Sequence, residues 1–146
     1  MSTNTNSPLQ YFVFKNGIIY IVAPCFMDGS TAPQSFNLRI DDHHVVVSQE
    51  GDQDEQYPLF DSLHEAAALV DAKYPNKTGC FVDENSLFCT ISNDIKGGSN
   101  APYHVLVKKS TVYQCGSYSE VDGYEIDGEY DLHPSMQALA SEIYPT

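Results

Sequence analysis

Positive charge is scarce in this chain. Its 7 lysine and arginine residues stand against 20 aspartate and glutamate residues, which gives a formal net charge of −13. A field of that sign repels nucleic acids and anionic membranes and attracts basic surfaces. We therefore expect no direct binding to nucleic acid or membrane, and a basic protein surface as the partner.

Long hydrophobic runs and targeting segments are also missing. No apolar run approaches the roughly 20 residues of a membrane helix, and the opening MSTNTNSPLQ has neither the basic nor the apolar segment of a secretory signal. Hydrophobic residues nevertheless make up 42% of the chain, which is too many for a disordered protein. The 146 residues therefore predict a folded cytoplasmic protein of one-domain length.

Motifs for metal binding and catalysis are absent from the sequence. It has no Cys-x2-Cys or His-x3-His pair of the kind that structural zinc sites use, no glycine-rich phosphate loop, no G-x-S-x-G and no H-E-x-x-H. We expect no cofactor, no metal and no catalytic residue. Zinc stays open as an alternative because the chain has 4 cysteines and 5 histidines. Without a secretory signal, the cysteines are expected to be reduced and mostly buried.

A short stretch of the chain occurs twice. GSTAP at residues 29–33 returns as GSNAP at residues 98–102, which is an offset of 69. At that offset, seven of the 22 positions in residues 12–33 and 81–102 are identical, more than unrelated windows of that length share. A fixed offset over a long window indicates an internal repeat. The predicted parts of one compact domain are a polar leader at residues 1–8, a first unit at residues 9–77 and a second unit at residues 78–146.

Both units show the same predicted order of strands. Apolar residues alternate at a period of two, which is typical of strands. Turn-forming segments interrupt this pattern at residues 15–17 and 41–43 in the first unit, and at residues 84–86 and 109–110 in the second. The first of these contains Asn-Gly, which readily takes the positive φ angles of a tight hairpin turn. Two hairpins are therefore predicted for each unit.

A helical pattern follows the hairpins. Ser62 and Glu65 have the spacing of a capping box, and Pro134 is a favourable first-turn residue for the second helix. Both helices are predicted to end at a Tyr-Pro pair, where the proline ring blocks continuation. The sequence therefore predicts an α+β protein with two tandem ββββα repeats, whose helices pack on antiparallel sheet.

The segment YPLFDSLHEAAALVDAKYP, at residues 57–75, resembles the later half of phosphotyrosine-binding SH2 domains. That family holds phosphate with an arginine in a Phe-Leu-Val-Arg type strand, and this sequence has no such arginine. We therefore assign the chain to no family on this basis.

Acidic residues concentrate between the last hairpin and the helix of each unit. Residues 50–61 and 120–131 hold 11 of the 20 acidic residues. Tyrosines lie among them, and tyrosine combined with complementary charge is typical of protein-binding surfaces. The predicted partner-binding residues are Glu50, Asp52, Asp54, Glu55, Tyr57, Asp61, Glu120, Asp122, Tyr124, Glu125, Asp127, Glu129, Tyr130 and Asp131. Two alternatives stay open: loops that only confer solubility, and a weak calcium site without the EF-hand pattern.

An enzyme is the competing interpretation. The candidate residues are the turn from Asp41 to His44, and Cys115 with His104 as a nucleophile and base on adjacent strands. The counterparts of that turn in the second unit, residues 108–111, preserve none of its chemistry.

The favoured hypothesis is a small, acidic, non-catalytic inhibitor that occupies a basic surface. Two settings fit this hypothesis: an immunity protein or antitoxin that neutralises a nuclease-like toxin, and a phage-type inhibitor of a nucleic-acid-binding defence complex. Homo-oligomers are also compatible with the sequence, because an edge strand of either unit can pair with a second chain.

Overall fold

A computed structural model describes residues 10–22, 36–49, 51, 53–95, 98–119 and 123–143 of the chain. The predicted leader, at residues 1–8, and the first copy of the repeated stretch, at residues 29–33, lie outside the described residues. Within the described part, neither helix has the length and apolar character needed to cross a membrane.

The first half contains β1 (Gln10–Val13), β2 (Ile19–Val22), β3 (Asn37–Asp41), β4 (His44–Ser48), β5 (Glu55–Pro58) and α1 (Leu63–Lys73). The second half contains β6 (Gly79–Val82), β7 (Phe88–Ile91), β8 (His104–Lys108), β9 (Thr111–Ser119), β10 (Gly123–Asp131) and α2 (Met136–Ile143). Three antiparallel sheets and two helices confirm the predicted α+β class.

The predicted number of strands is too low by one in each half. β5 and β10 form in the acidic segments, which were expected to be loops between the last hairpin and the helix. The strands were not predicted there because acidic residues are more typical of loops than of strands. In β10, however, Ile126, Gly128 and Tyr130 alternate with carboxylates, which is the period-two pattern of a strand with one solvated face.

The two halves meet in a central four-stranded sheet. Its order is β1-β2-β7-β6, so each half contributes one hairpin and the inner strands β2 and β7 pair with each other. The paired residues at this contact are Ile19 and Phe88, which lie at the same place in the two hairpins, 69 residues apart. The sheet is therefore arranged symmetrically about this contact.

Two three-stranded sheets, β3-β4-β5 and β8-β9-β10, cover one face of the central sheet, and the helices cover the other. On the helix side, Leu63, Val70, Met136 and Leu139 are buried against the central strands. On the opposite side, the residues buried between the sheets include Phe12, Val45, Phe81 and Val112. The central strands are buried on both faces, so their sequences are apolar almost throughout.

The same backbone contacts close both halves. Tyr11 exchanges hydrogen bonds of 2.9 and 2.7 Å with Phe60, and Cys80 exchanges two of 2.8 Å with His133. Each contact joins the segment just before a helix to the outer strand of the central sheet. Between its last strand and its helix, each half therefore pairs with the outer strand of the central sheet at a corresponding place.

The predicted first hairpin turn is confirmed. Asn16 and Gly17 adopt φ angles of 65° and 81°, the left-handed region that Asn and Gly tolerate best. The corresponding turn of the second half places Ser86 at φ 62°. Gly17 also lies against Tyr74, so a side chain at this position would meet the tyrosine ring.

Serine caps both helices. The Ser62 hydroxyl accepts a hydrogen bond from the Glu65 amide at 3.1 Å, as the capping-box spacing predicts. In the second half, the Ser135 hydroxyl accepts one from the Ala138 amide at 3.0 Å. The prediction that Pro134 opens the second helix was wrong, because this proline precedes the cap and the helix begins after Ser135.

Candidate functional site

The acidic segments lie at the edges of the two outer sheets, where β5 and β10 each pair on one side only within those sheets. Glu50, Asp52, Glu120 and Asp122 lie outside the described residues. Tyr124 pairs with Tyr118 in the backbone register of the β9–β10 hairpin. The other predicted carboxylates lie within the described residues, and the two halves differ in the contacts that these carboxylates make.

In the first half, Glu55 is neutralised within the protein. The Lys15 Nζ atom lies 2.9 Å from its carboxylate, and the Tyr57 hydroxyl donates a hydrogen bond of 3.0 Å to it. The hydrogen bond from Lys15 holds the pKa of Glu55 below its usual range. This carboxylate therefore has a cation of its own.

The other described carboxylates of the first cluster also have partners. The Ser48 hydroxyl donates a hydrogen bond of 2.8 Å to the Asp54 carboxylate, and the side-chain amide of Gln10 donates one of 3.0 Å to the Asp61 carboxylate. Both carboxylates are exposed, but each is already bonded to a neighbouring side chain. The three described carboxylates of residues 50–61, Asp54, Glu55 and Asp61, are therefore each bonded to another side chain of the protein.

The carboxylates of β10 are different. Glu125, Asp127, Glu129 and Asp131 are all exposed. Within the described part of the chain, Lys15 forms an ion pair with Glu55 and Lys77 with Asp71, and His43 lies beside Asp42; none of these contacts involves β10. This strand therefore displays four negative charges without a cation from the described part of the chain.

Corresponding positions explain this difference. Lys15 in the first hairpin turn is replaced 69 residues later by Glu84. Phe60 and His133 form corresponding bridges in the two halves, and Glu55 and Gly128 lie at the same distance before them in the chain. Gly128 therefore stands where the first half has Glu55. The ion pair of the first half thus has no counterpart in the second, and an extra carboxylate stands where the lysine was.

The predicted binding tyrosines Tyr57 and Tyr130 turn their rings inward. Tyr57 lies 5.9 Å from Phe12 between ring centroids, and Tyr130 is stacked on Phe81 at 5.6 Å. Burial raises the pKa of both phenols. Much of each ring therefore stabilises the core, which the sequence analysis did not anticipate, and the role of these tyrosines in binding stays a prediction.

Asp83 is a buried carboxylate that the sequence analysis missed. It accepts hydrogen bonds from the Leu87 amide at 3.0 Å and from the Tyr103 hydroxyl at 2.9 Å. Desolvation and this hydrogen bond raise the pKa of Tyr103. Phe14 occupies the corresponding place in the first half and packs against other aromatic rings. The replacement of Phe14 by Asp83 at corresponding positions of the repeat could have indicated this site from the sequence.

The competing catalytic residues are placed as follows. The turn from Asp41 to His44 is exposed, and the His43 Nε2 atom lies 3.8 Å from an Asp42 carboxylate oxygen. His104 and Cys115 are directly opposite each other on β8 and β9. Burial and the nearby charge of Asp127 raise the pKa of the Cys115 thiol. A raised pKa favours the protonated thiol, whereas a nucleophilic cysteine needs the thiolate.

Among the residues that the structure describes, no group of three or more His, Cys, Asp or Glu side chains has the geometry to hold a metal ion. Cys80, Cys89 and Cys115 are buried free thiols, and Cys25 lies outside the described residues.

In comparisons with known proteins, no family model, no curated protein and no solved structure matches the chain. Its function therefore has to be inferred from the residues of the site.

Proposed function

We propose that this protein is a non-catalytic inhibitor that occupies a basic surface of another protein, with the carboxylates of β10 making the contact. The observation that carries this proposal is the unpaired state of Glu125, Asp127, Glu129 and Asp131 within the described part of the chain. A carboxylate without an internal cation keeps its full attraction for an external one. Its partner does not have to displace a lysine first.

The chemistry of the partner follows from this charge. Complementary charge accelerates encounter and selects against partners of the same sign. Glu129 and Asp131 are two residues apart on one strand and therefore point to the same face, about 7 Å apart. Two carboxylates side by side on one face of a strand suit a cationic groove that normally holds nucleic-acid phosphates. A nuclease-like toxin and a nucleic-acid-binding defence complex both have such a groove.

Two variants with the same charge change test the proposal. One replaces the β10 carboxylates: Glu125→Gln, Asp127→Asn, Glu129→Gln and Asp131→Asn. The other removes four exposed charges from the first half: Asp41→Asn, Asp42→Asn, Asp54→Asn and Asp61→Asn. Each variant and the unmodified protein serve as bait in a host lysate, and captured proteins are quantified by mass spectrometry. Association rates with the main captured protein are then measured at several salt concentrations.

The β10 variant is expected to lose capture of basic proteins and to associate more slowly, with a weaker dependence on salt. The first-half variant is expected to retain most of both properties, although its net charge is the same. Equal losses in the two variants would mean that only total charge matters, and the assignment to β10 would be wrong. Capture that is unchanged in both variants would exclude an electrostatic inhibitor.

A further inference from the structure

The outer face of the β8-β9-β10 sheet, turned away from the core, carries an apolar strip beside the acidic strand. Val105, Val107, Val112 and Tyr130 point to the core, so the residues that alternate with them point outward. The β9–β10 register shifts on both sides of Ile126, so its place on the same face follows from its pairing with Cys115. The backbone register sets the outward residues in three cross-strand rows: His104, Cys115 and Ile126; Leu106, Tyr113 and Glu129; Lys108, Thr111 and Asp131. We call these nine residues the outer face.

Three apolar residues of the outer face, Leu106, Tyr113 and Ile126, are at least partly accessible, whereas Cys115 between them is buried. The side chain of Ile126 is 47% exposed, and Leu106 and Tyr113 are half-buried. An antiparallel sheet with one face on the core normally alternates apolar and polar residues, so its other face is polar. The outer face departs from that rule.

The first half provides an internal comparison. There the row that corresponds to Leu106, Tyr113 and Glu129 is made of Arg39, Val46 and Gln56. The next row pairs Asn37 with Ser48, and Ser48 is hydrogen-bonded to Asp54. Apart from Val46, which is buried, and Pro58 at the end of β5, this face is polar as expected. The same sheet frame therefore tolerates polar residues, and the apolar strip is a feature of the second half.

We infer that the outer face is the docking surface for a cationic, amphipathic segment of the partner protein; this rests on the function proposed above. Lysine or arginine side chains of that segment contact Glu129 and Asp131, while an apolar side chain between them packs on Leu106, Tyr113 and Ile126. Exposed apolar strips with a polar rim are typical of protein-binding sites. The basic side chains of the partner segment lie on the β10 side of the outer face, because Lys108 on β8 repels positive charge from the other side.

Charge decides between this occupant and a second copy of the chain. If two copies met through the outer face, Glu129 and Asp131 of one copy would lie close to the other copy, whose net charge is also −13. Like charges at an interface oppose association, whereas a basic segment gains from the same field. The apolar strip adds what charge alone does not supply: an attraction that salt does not screen.

Two synthetic peptides of equal charge test the inference. One alternates lysine with leucine and the other alternates lysine with glycine. Each is titrated into 15N-labelled full-length protein at low and at physiological salt, and affinity and the shifted amide signals are recorded. Ile126→Ser removes the most exposed apolar side chain of the strip. Ile40→Ser is the matched control, because Ile40 is 52% exposed on β3 of the first half. Leu106→Gln is a second strip variant.

The lysine-leucine peptide is expected to bind more tightly than the lysine-glycine peptide and to shift the signals of Leu106, Tyr113 and Ile126. Ile126→Ser should weaken its binding by about five- to tenfold, the scale of burying the exposed half of one aliphatic side chain. Ile40→Ser should leave it unchanged.

If both peptides bind equally and shift only the signals of β10, the apolar strip plays no part and this inference fails while the proposed function stands. If neither peptide binds at low salt, both fail. If the protein self-associates in sedimentation experiments and Ile126→Ser abolishes this, the strip is a contact between copies of the chain and the inference is wrong.

Discussion

Asp71, near the end of α1, caps the start of α2: its carboxylate accepts a hydrogen bond of 2.8 Å from the Met136 amide and one of 2.9 Å from the Gln137 amide. The first amides of a helix have no partner inside the helix, and a negative charge there is favourable. The same carboxylate lies 3.0 Å from Lys77 Nζ, whose side chain is 6% exposed. Asp71 therefore links the helices of the two halves.

Replacement of Asp71 by alanine is expected to lower the free energy of unfolding by about 3 kcal/mol, because it leaves a buried lysine without its counter-charge and two amides without an acceptor. The double variant Asp71→Ala with Lys77→Met should recover part of this loss. Asp94→Ala, at an exposed turn, is the control. Urea denaturation measures all three. A single Asp71 variant as stable as the control would contradict the linking role.

Two glycines with nearly equal positive φ angles separate backbone strain from steric conflict. Gly17 and Gly98 have φ angles of 81° and 82°. A Cβ atom at Gly17 would lie 2.6 Å from a Tyr74 ring carbon, whereas one at Gly98 would have no atom within 4 Å. Gly98→Ala is expected to cost about 1–2 kcal/mol from left-handed strain alone. Gly17→Ala should cost clearly more, as measured by thermal unfolding, and equal costs would contradict the close contact with Tyr74.

Alkaline pH should destabilise the fold through the buried thiols. Burial raises the pKa of Cys80 from its ordinary value of 9.0 to about 12, and burial also raises that of Cys89. The unfolded chain therefore releases these protons first as the pH rises. Stability is complete below the ordinary thiol pKa and falls by about 1.4 kcal/mol per pH unit for each thiol above it.

Urea midpoints at pH 7.5 and 10.5 measure this loss in a Cys25→Ser background, which removes the thiol outside the described residues. Cys80→Ala and Cys89→Ala should each reduce the pH dependence, whatever they cost at neutral pH. Thiolate absorbance should remain absent from the native protein near pH 9. If it appears there before unfolding, these thiols are not desolvated as the structure indicates.

Tyr57 and Tyr130 should matter more for stability than their position in the acidic segments suggests. Each ring packs on a buried phenylalanine, so Tyr57→Ala and Tyr130→Ala are expected to cost about 2–3 kcal/mol. Tyr57→Phe and Tyr130→Phe keep the ring and should cost about 1 kcal/mol or less. Chemical denaturation of the four variants checks this. Alanine variants that keep full stability would place both rings in a binding surface instead of the core.

The sequence supported the α+β class, the four hairpin turns and the first helix cap because each of these depends on neighbouring residues. The local signals are the alternation of apolar and polar residues in strands such as β3, the Asn16-Gly17 turn and the Ser62 cap, and the structure has them where they were predicted. Strands β5 and β10 were missed because their acidic residues are typical of loops. They form because a neighbouring strand supplies the hydrogen bonds.

The acidic clusters were visible in the sequence, but the difference between them was not. Composition alone counts Glu55 and Glu129 as equal charges, since nothing local shows that Lys15 neutralises the first and no described cation faces the second. The buried pair of Asp71 and Lys77, the inward rings of Tyr57 and Tyr130, and the apolar strip on the outer face likewise join residues from separate elements. Only the tertiary structure decides these features, because they depend on which strands and helices become neighbours.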